Sequence, residues 1–189
     1  CGRAGDVTTG ALHGTHVTAL AAGQSVTFSG AAPGAQILSM KVFPDNAAAG
    51  ADDSAVLRAL EDALALGADV VNLSLGMSGG FTWDSTLGGL YCEAFQKLRD
   101  AGVLLFCAAG NDGCAPMRKT WGVPLPTTAY TDYGQLCAPG TYLGTLPVAA
   151  AGWAEDGGSV SPAFYSSWGA TSDLRLVPAL TAPGSGILS

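Results

Sequence analysis

The chain has 189 residues, enough for one domain with a substantial core. Charged residues make up only 12%, glycines number 27 and the net charge is −7, which describes a closely packed, turn-rich acidic protein and argues against a surface for nucleic acid or an anionic membrane. No apolar run approaches the roughly 20 residues of a membrane span, and the lack of an initiator Met or signal peptide, with Cys1 close to a motif, sets the expectation of a piece of a longer polypeptide.

The first motif is Leu12-His13-Gly14-Thr15-His16-Val17. Small and apolar residues continue to Ala22 and stop at Gly23, which reads as a short buried helix with His13 at or just before its first turn. Imidazole is the side chain that exchanges a proton near neutral pH, so a histidine presented at a helix start is a candidate general base. Two plainer readings stand beside it. Two histidines three apart can bind a metal, but no glutamate lies between them and no cysteine is near. They can also be a structural pair.

The chain then alternates turns, strands and helices. Residues 30–35 (Gly-Ala-Ala-Pro-Gly-Ala) read as a turn and Gln36 to Phe43 as a strand. Asp52, Asp53 and Ser54 offer N-cap oxygens, and Leu57, Leu60, Ala63 and Leu64 recur at helical spacing up to Gly67. Asp69 to Leu75 reads as a strand closed by Gly76. Leu87, Leu90, Tyr91, Ala94, Leu98 and Ala101 mark a helix that Gly102 ends. Val103 to Ala108 is a nearly continuous apolar run, as in a central parallel strand covered on both faces. This order predicts an α/β fold, a parallel β-sheet flanked by helices on both faces and joined by right-handed crossovers.

In such sheets the working residues lie at the carboxyl ends of the strands. That rule singles out Ser74-Leu75-Gly76 and Ala108-Ala109-Gly110-Asn111. Asn111 follows a buried strand and small residues, so its carboxamide is presented where an N–H can donate to an oxyanion developing on a substrate carbonyl. A turn-forming Asn is the plainer alternative.

The five cysteines leave at least one unpaired. Cys107, in an apolar run, reads as a core residue. Cys114 and Cys137 flank a loop rich in Pro, Thr and Tyr that a disulfide between them would close. Their spacing does not describe a zinc site.

Taken together, these motifs resemble the subtilisin-like serine proteases, the subtilases. His13-Gly-Thr-His-Val17 resembles the family's His-Gly-Thr-His-Val-Ala-Gly, with Thr18 and Ala19 standing where Ala and Gly are usual. Cys107-Ala-Ala-Gly-Asn111 resembles its Ala-Ala-Gly-Asn segment. Gly34-Ala35 with Lys41-Val42, Val71-Asn-Leu-Ser-Leu-Gly76, Phe164-Tyr-Ser-Ser-Trp-Gly169 and Ala182-Pro-Gly184 follow in the family's order. The stretch from Thr171 to Pro178 is most similar to the cell-envelope branch. The resemblance covers about residues 12–189, and 115–145, which matches poorly, reads as a surface loop near the cleft.

The resemblance implies a serine-type endopeptidase with His13 catalytic and Asn111 the oxyanion donor, and with Ser74, Leu75, Gly76, Ala108, Ala109 and Gly110 lining one side of the substrate cleft. The small residues there imply an open pocket for a sizeable apolar side chain. The family's nucleophile sits in a Gly-Thr-Ser-x-Ala motif, and none of Ser166, Ser167, Ser185 or Ser189 has that context. Asp6 matches a loop position better than the triad acid. The expected domain is therefore a partial subtilase peptidase domain over 1–189, incomplete at both ends, with the Asp and Ser segments outside it and no activity alone. Its partners would be a polypeptide substrate and a pro-segment, with no nucleic acid and no membrane span, and its location secreted or in the cell envelope. No cofactor is expected. The turn from Ala21 to Ala31 carries no carboxylate, so the family's calcium loop has no ligands there, and any calcium would bind elsewhere in the full-length protein. Two alternatives belong to other classes. One is a catalytically inactive subtilase-like binding or regulatory module. The other is a nucleotide-binding domain around Gly184-Ser-Gly186, which lacks a third glycine and a strand–helix setting.

Overall fold

A computed structural model of the chain describes residues 13–44, 50–77, 86–112, 136–153, 159–171 and 175–187. Cys1, Asp6, Leu12, Cys114, most of the 115–145 stretch and Ser189 lie outside them. The chain forms two compact units, one reaching Ala68 and the other Asp69–Ile187.

The first unit opens on α1, His13–Ala22, so His13 is the first helical residue and the helix stops before Gly23. The chain returns across its C-terminal end. Ala31 and Ala32 donate their N–H groups to the carbonyls of Leu20 and Ala21 at 2.9 and 2.7 Å, satisfying acceptors that the last turn leaves open. The expected burial of α1 is not met, because none of its residues is buried. Val17 and Leu20 are its only large aliphatic side chains, so it has little apolar area of its own with which to form a core.

The expected turn forms, with Ala35 N–H donating to Ala32 O at 2.9 Å. The expected strand over 36–43 does not. Its residues take no regular structure, and Ile37, Leu38 and Phe43 are exposed. A strand is defined by a partner ladder, which apolar residues cannot supply by themselves, and 36–43 pairs with no strand among the described residues.

α2, Asp53–Ala65, starts where the carboxylates indicate. Asp52 is its N-cap and accepts the Ser54 N–H at 3.0 Å. Val56, Leu60 and Ala63 are buried along one face. The helix ends in paired reverse bonds, Ala68 N–H to Ala63 O and Gly67 N–H to Leu64 O, at 2.9 and 3.2 Å. This cap needs a left-handed residue, and Gly67 supplies φ of 72°.

The second unit is an α/β sheet with β1 (Val70–Leu73), α3 (Thr86–Asp100), β2 (Leu104–Ala108), β3 (Leu146–Trp153), β4 (Val160–Pro162), β5 (Gly169–Ala170), β6 (Leu176–Val177) and β7 (Leu180–Pro183). β1, β2, β3 and β7 lie side by side in that order, all parallel, with Val70 opposite Leu104, Phe106 opposite Leu146 and Val148 opposite Leu180. β4 pairs antiparallel with the end of β3, on the edge that β2 uses further back: Ala109 and Ala163 donate to Val148 O and Ala150 O, two residues apart. β5 and β6 form a separate two-stranded ribbon.

α3 packs against β2. It buries Tyr91, Phe95 and Leu98, with Phe95 0% exposed. Tyr91 and Phe95 join Tyr142 in a ring cluster with centroids 5.6 to 6.3 Å apart, and such pairs add about 0.5–1.5 kcal/mol each beyond the area they bury. In β2 burial alternates: Leu105 and Cys107 are buried, whereas Leu104 is exposed and Phe106 and Ala108 are half-buried. β2 is the central parallel strand that the apolar run predicts, lying between β1 and β3, and Phe106 and Ala108 on its half-buried face reach the cleft described below.

The described part of the expected surface loop, 136–145, is also corrected. Residues 136–142 are all buried. Leu136 packs with Ala109 and Ala149, and Ala138 exchanges backbone hydrogen bonds with Met77 at 3.0 and 3.1 Å. The Ala138 backbone groups are thus satisfied by β-type pairing rather than by solvent.

Candidate active site

A cleft of about 390 Å³ opens at the carboxyl ends of the parallel strands of the second unit. Asn72 and Ser74 reach it from β1, Phe106 to Asn111 from β2, and Ala182 to Gly184 from β7. Ser74, Ala108, Ala109, Gly110 and Asn111 therefore meet in one cleft, while Leu75 and Gly76 lie outside its lining. Gly76 is exposed, and a Cβ on it would come within 2.5 Å of the Cys137 sulfur. Asn72 holds Ser74 by a hydrogen bond from Nδ2 to Oγ at 2.9 Å.

The strand end that presents Asn111 is tightly specified. Gly110 has φ of 116°, a conformation that side-chain-bearing residues rarely adopt, and a Cβ there would stand 2.8 Å from Ser167 Oγ. Beyond this turn Asn111 is exposed at the mouth of the cleft. Beneath it, Cys137 donates its N–H to Ala109 O at 2.8 Å and its thiol to Ala108 O at 3.3 Å. Ser167 N–H donates to Gly110 O at 2.9 Å, and Ser167 Oγ accepts the Asp112 N–H at 3.0 Å. Tyr165, also lining the cleft, donates its hydroxyl to Gly184 O at 2.7 Å.

The sequence reading weighs Cys137 only as a disulfide partner and Ser167 only as a nucleophile, and it gives neither them nor Tyr165 a place at this cleft. The Phe164–Gly169 motif was visible, but its spacing carries no sign of which strand ends it meets. His13 belongs to the first unit, exposed at the start of α1, with His16 half-buried one turn on. Among the described residues no three His, Cys, Asp or Glu side chains gather as metal ligands.

Cys137 is a free thiol, which corrects the bridge proposed to Cys114. It is 5% exposed, and its thiol donates to Ala108 O. Burial, and then the charge of Asp112, push its pKa up to about 11, and burial raises Cys107 further. In the unfolded chain a thiol ionises near pH 8.5. The neutral thiol therefore contributes stability in full below about pH 8.5, and that contribution is lost as pH rises to about 11. Thermal unfolding followed from pH 8 to 11 should fall more steeply for the parent than for Cys137→Ala. Parallel slopes would show that Cys137 is not held neutral by the fold.

The Subtilase family model matches residues 4–189. Over 153 residues the chain is 35% identical to the PII-type proteinase of Lacticaseibacillus paracasei, covering 77% of this chain and 8% of that protein. It is 31% identical over 185 residues to tripeptidyl-peptidase 2 of Arabidopsis thaliana, covering 96% of this chain and 13% of that one. Among solved structures, the prenylagaramide maturation protease PagA superposes with a TM-score of 0.68 at 27% identity, over 96% of this chain and 55% of that chain. The chain thus spans a small part of these two relatives and about half of the solved structure.

Proposed function

The chain belongs to the subtilase family of serine peptidases, and on that premise we propose that it forms the central part of a serine endopeptidase, supplying the general base and the oxyanion donor. The observation that carries this reading is Asn111, held at the mouth of the cleft by a glycine turn at the carboxyl end of β2.

In this mechanism His13 takes the proton of an attacking serine hydroxyl and returns it to the leaving amine. The Asn111 carboxamide donates to the tetrahedral oxyanion, and the strand ends at Ser74–Gly76 and Ala108–Gly110 pair with an extended substrate backbone. The cleft's small lining residues leave room for a sizeable apolar substrate side chain. The serine and the orienting aspartate come from sequence outside these 189 residues, because no serine within them has the Gly-Thr-Ser context. The substrate is a polypeptide. A secreted or cell-envelope location is the reading that the resemblance to the cell-envelope branch supports.

The test is to treat the full-length protein with a fluorophosphonate serine probe and map the labelled residue by mass spectrometry. Labelling of one serine outside residues 1–189, lost in His13→Ala, is the expected result. A labelled serine within 1–189 would overturn the division of roles. No labelling of folded protein would instead identify a subtilase-like binding module.

A further inference from the structure

The Phe164–Gly169 segment has no part in the mechanism above, yet its backbone and hydroxyls touch three strand ends of the cleft. Ser166 Oγ accepts the Ala150 N–H of β3 at 2.9 Å, and Ala163 N–H donates to Ala150 O at 2.8 Å. Tyr165 reaches Gly184 beyond β7. Ser167 reaches the end of β2, and it is 0% exposed.

The two Ser167 bonds fall on either side of Asn111. Gly110 C=O belongs to the peptide group that precedes the Asn111 Cα, and Asp112 N–H belongs to the one that follows it. Each peptide group is rigid, so the only soft backbone variables between them are φ and ψ of Asn111. Holding both planes from one buried residue fixes those two angles and with them the direction in which the Asn111 Cβ leaves the chain. Gly110 lacks the Cβ that would push this clamp aside, since that atom would stand 2.8 Å from Ser167 Oγ. Ser167 is itself anchored, because its neighbour Ser166 is bound to β3 through Oγ and to Ala163 O through its N–H at 2.9 Å.

We propose that Ser167 is a positioning residue for Asn111: it clamps both peptide groups flanking Asn111 and so aims the carboxamide at the oxyanion. This rests on the role proposed for Asn111. An oxyanion donor must point at its target before the reaction begins, because a donor that has to be oriented during attack loses much of its advantage.

The test is a double-mutant cycle in the full-length protease, with kcat and KM measured per folded molecule. Ser167→Ala keeps the N–H that binds Gly110 but removes the acceptor for Asp112. It should lower kcat about 10-fold, the scale of one hydrogen bond, with KM unchanged. In an Asn111→Ala background the same change should alter kcat less than about twofold, since nothing is left to aim. Ser167→Cys is nearly isosteric with a weaker acceptor and should give an intermediate kcat, which keeps the cycle readable if the alanine variant folds poorly. An equal loss from Ser167→Ala in both backgrounds would make Ser167 a general structural residue and overturn the proposal. So would an unchanged kcat in Ser167→Ala where Asn111→Ala is impaired. A fully active Asn111→Ala would overturn the oxyanion reading itself, and this proposal with it.

Discussion

If the full-length protein is the proposed endopeptidase with His13 as its base, His13→Ala is expected to lower kcat by about a millionfold with little change in KM, the scale of removing the base from a triad that acts as a unit. In that mechanism, loss of the imidazole leaves no group to take the serine proton during attack and none to protonate the leaving amine. The structural alternative predicts nearly the opposite. His13 is exposed at the first position of α1, where a substitution ordinarily shifts stability by about 0.5 kcal/mol or less. The unfolding temperature should therefore stay close to that of the parent while turnover collapses. His16→Ala, on the same helix, supplies the contrast and should leave kcat near the parent value. A folded His13→Ala variant that retains more than about one hundredth of parental kcat would remove His13 from the base role.

How far such residues can be read without coordinates depends on whether their signal is local. The N-cap at Asp52 and the glycine cap at Gly67 are written in adjacent residues, and both appear where the sequence places them. The face of α3 is less direct. Leu90 and Ala94 compete with Tyr91 and Phe95 for the same stripe, and the structure turns Tyr91, Phe95 and Leu98 inward while leaving Leu90 exposed. Helical spacing alone permits either rotation, and the choice is made by the rings that meet Tyr142.

Non-local pairing was the least legible. β3 is the strand to which β2, β4 and β7 all bind, yet its Leu-Pro-Val-Ala-Ala-Ala-Gly-Trp sequence has a proline and a run of alanines, neither of which advertises a central strand. The alanines are small for a reason that only packing reveals, since a Cβ on Gly184, just after the neighbouring strand β7, would already lie 2.6 Å from the Ala150 Cβ. The 36–43 segment is the converse case, strand-like in composition but without a ladder among the described residues. In the candidate site, Ser74, Ala108, Ala109, Gly110 and Asn111 were legible because the carboxyl-end rule acts on single strands. Ser167 and Cys137 were not, because each is defined by a distant partner: Ser167 by Asp112, 55 residues away, and Cys137 by Ala108, 29 residues away.

Asn111→Leu is the substitution that separates chemistry from turn geometry. Leucine keeps a similar volume but removes the N–H that would donate to the oxyanion, so kcat should fall by about 10²–10³ while KM barely moves, because the bond is made mainly in the transition state. A residue that merely shaped the turn would behave differently. Gly110 provides the positive φ and Ser167 holds the flanking peptide groups, so the turn does not depend on the Asn111 carboxamide among the bonds given above. Any structural penalty of the leucine should then appear as a lower unfolding temperature and a smaller folded fraction, with kcat per folded molecule intact. The two outcomes are separated by measuring turnover against the number of fluorophosphonate-reactive sites rather than total protein. A parental kcat per reactive site in Asn111→Leu would show that the oxyanion is stabilised by other donors, and the mechanism drawn around this cleft would have to be rebuilt without Asn111.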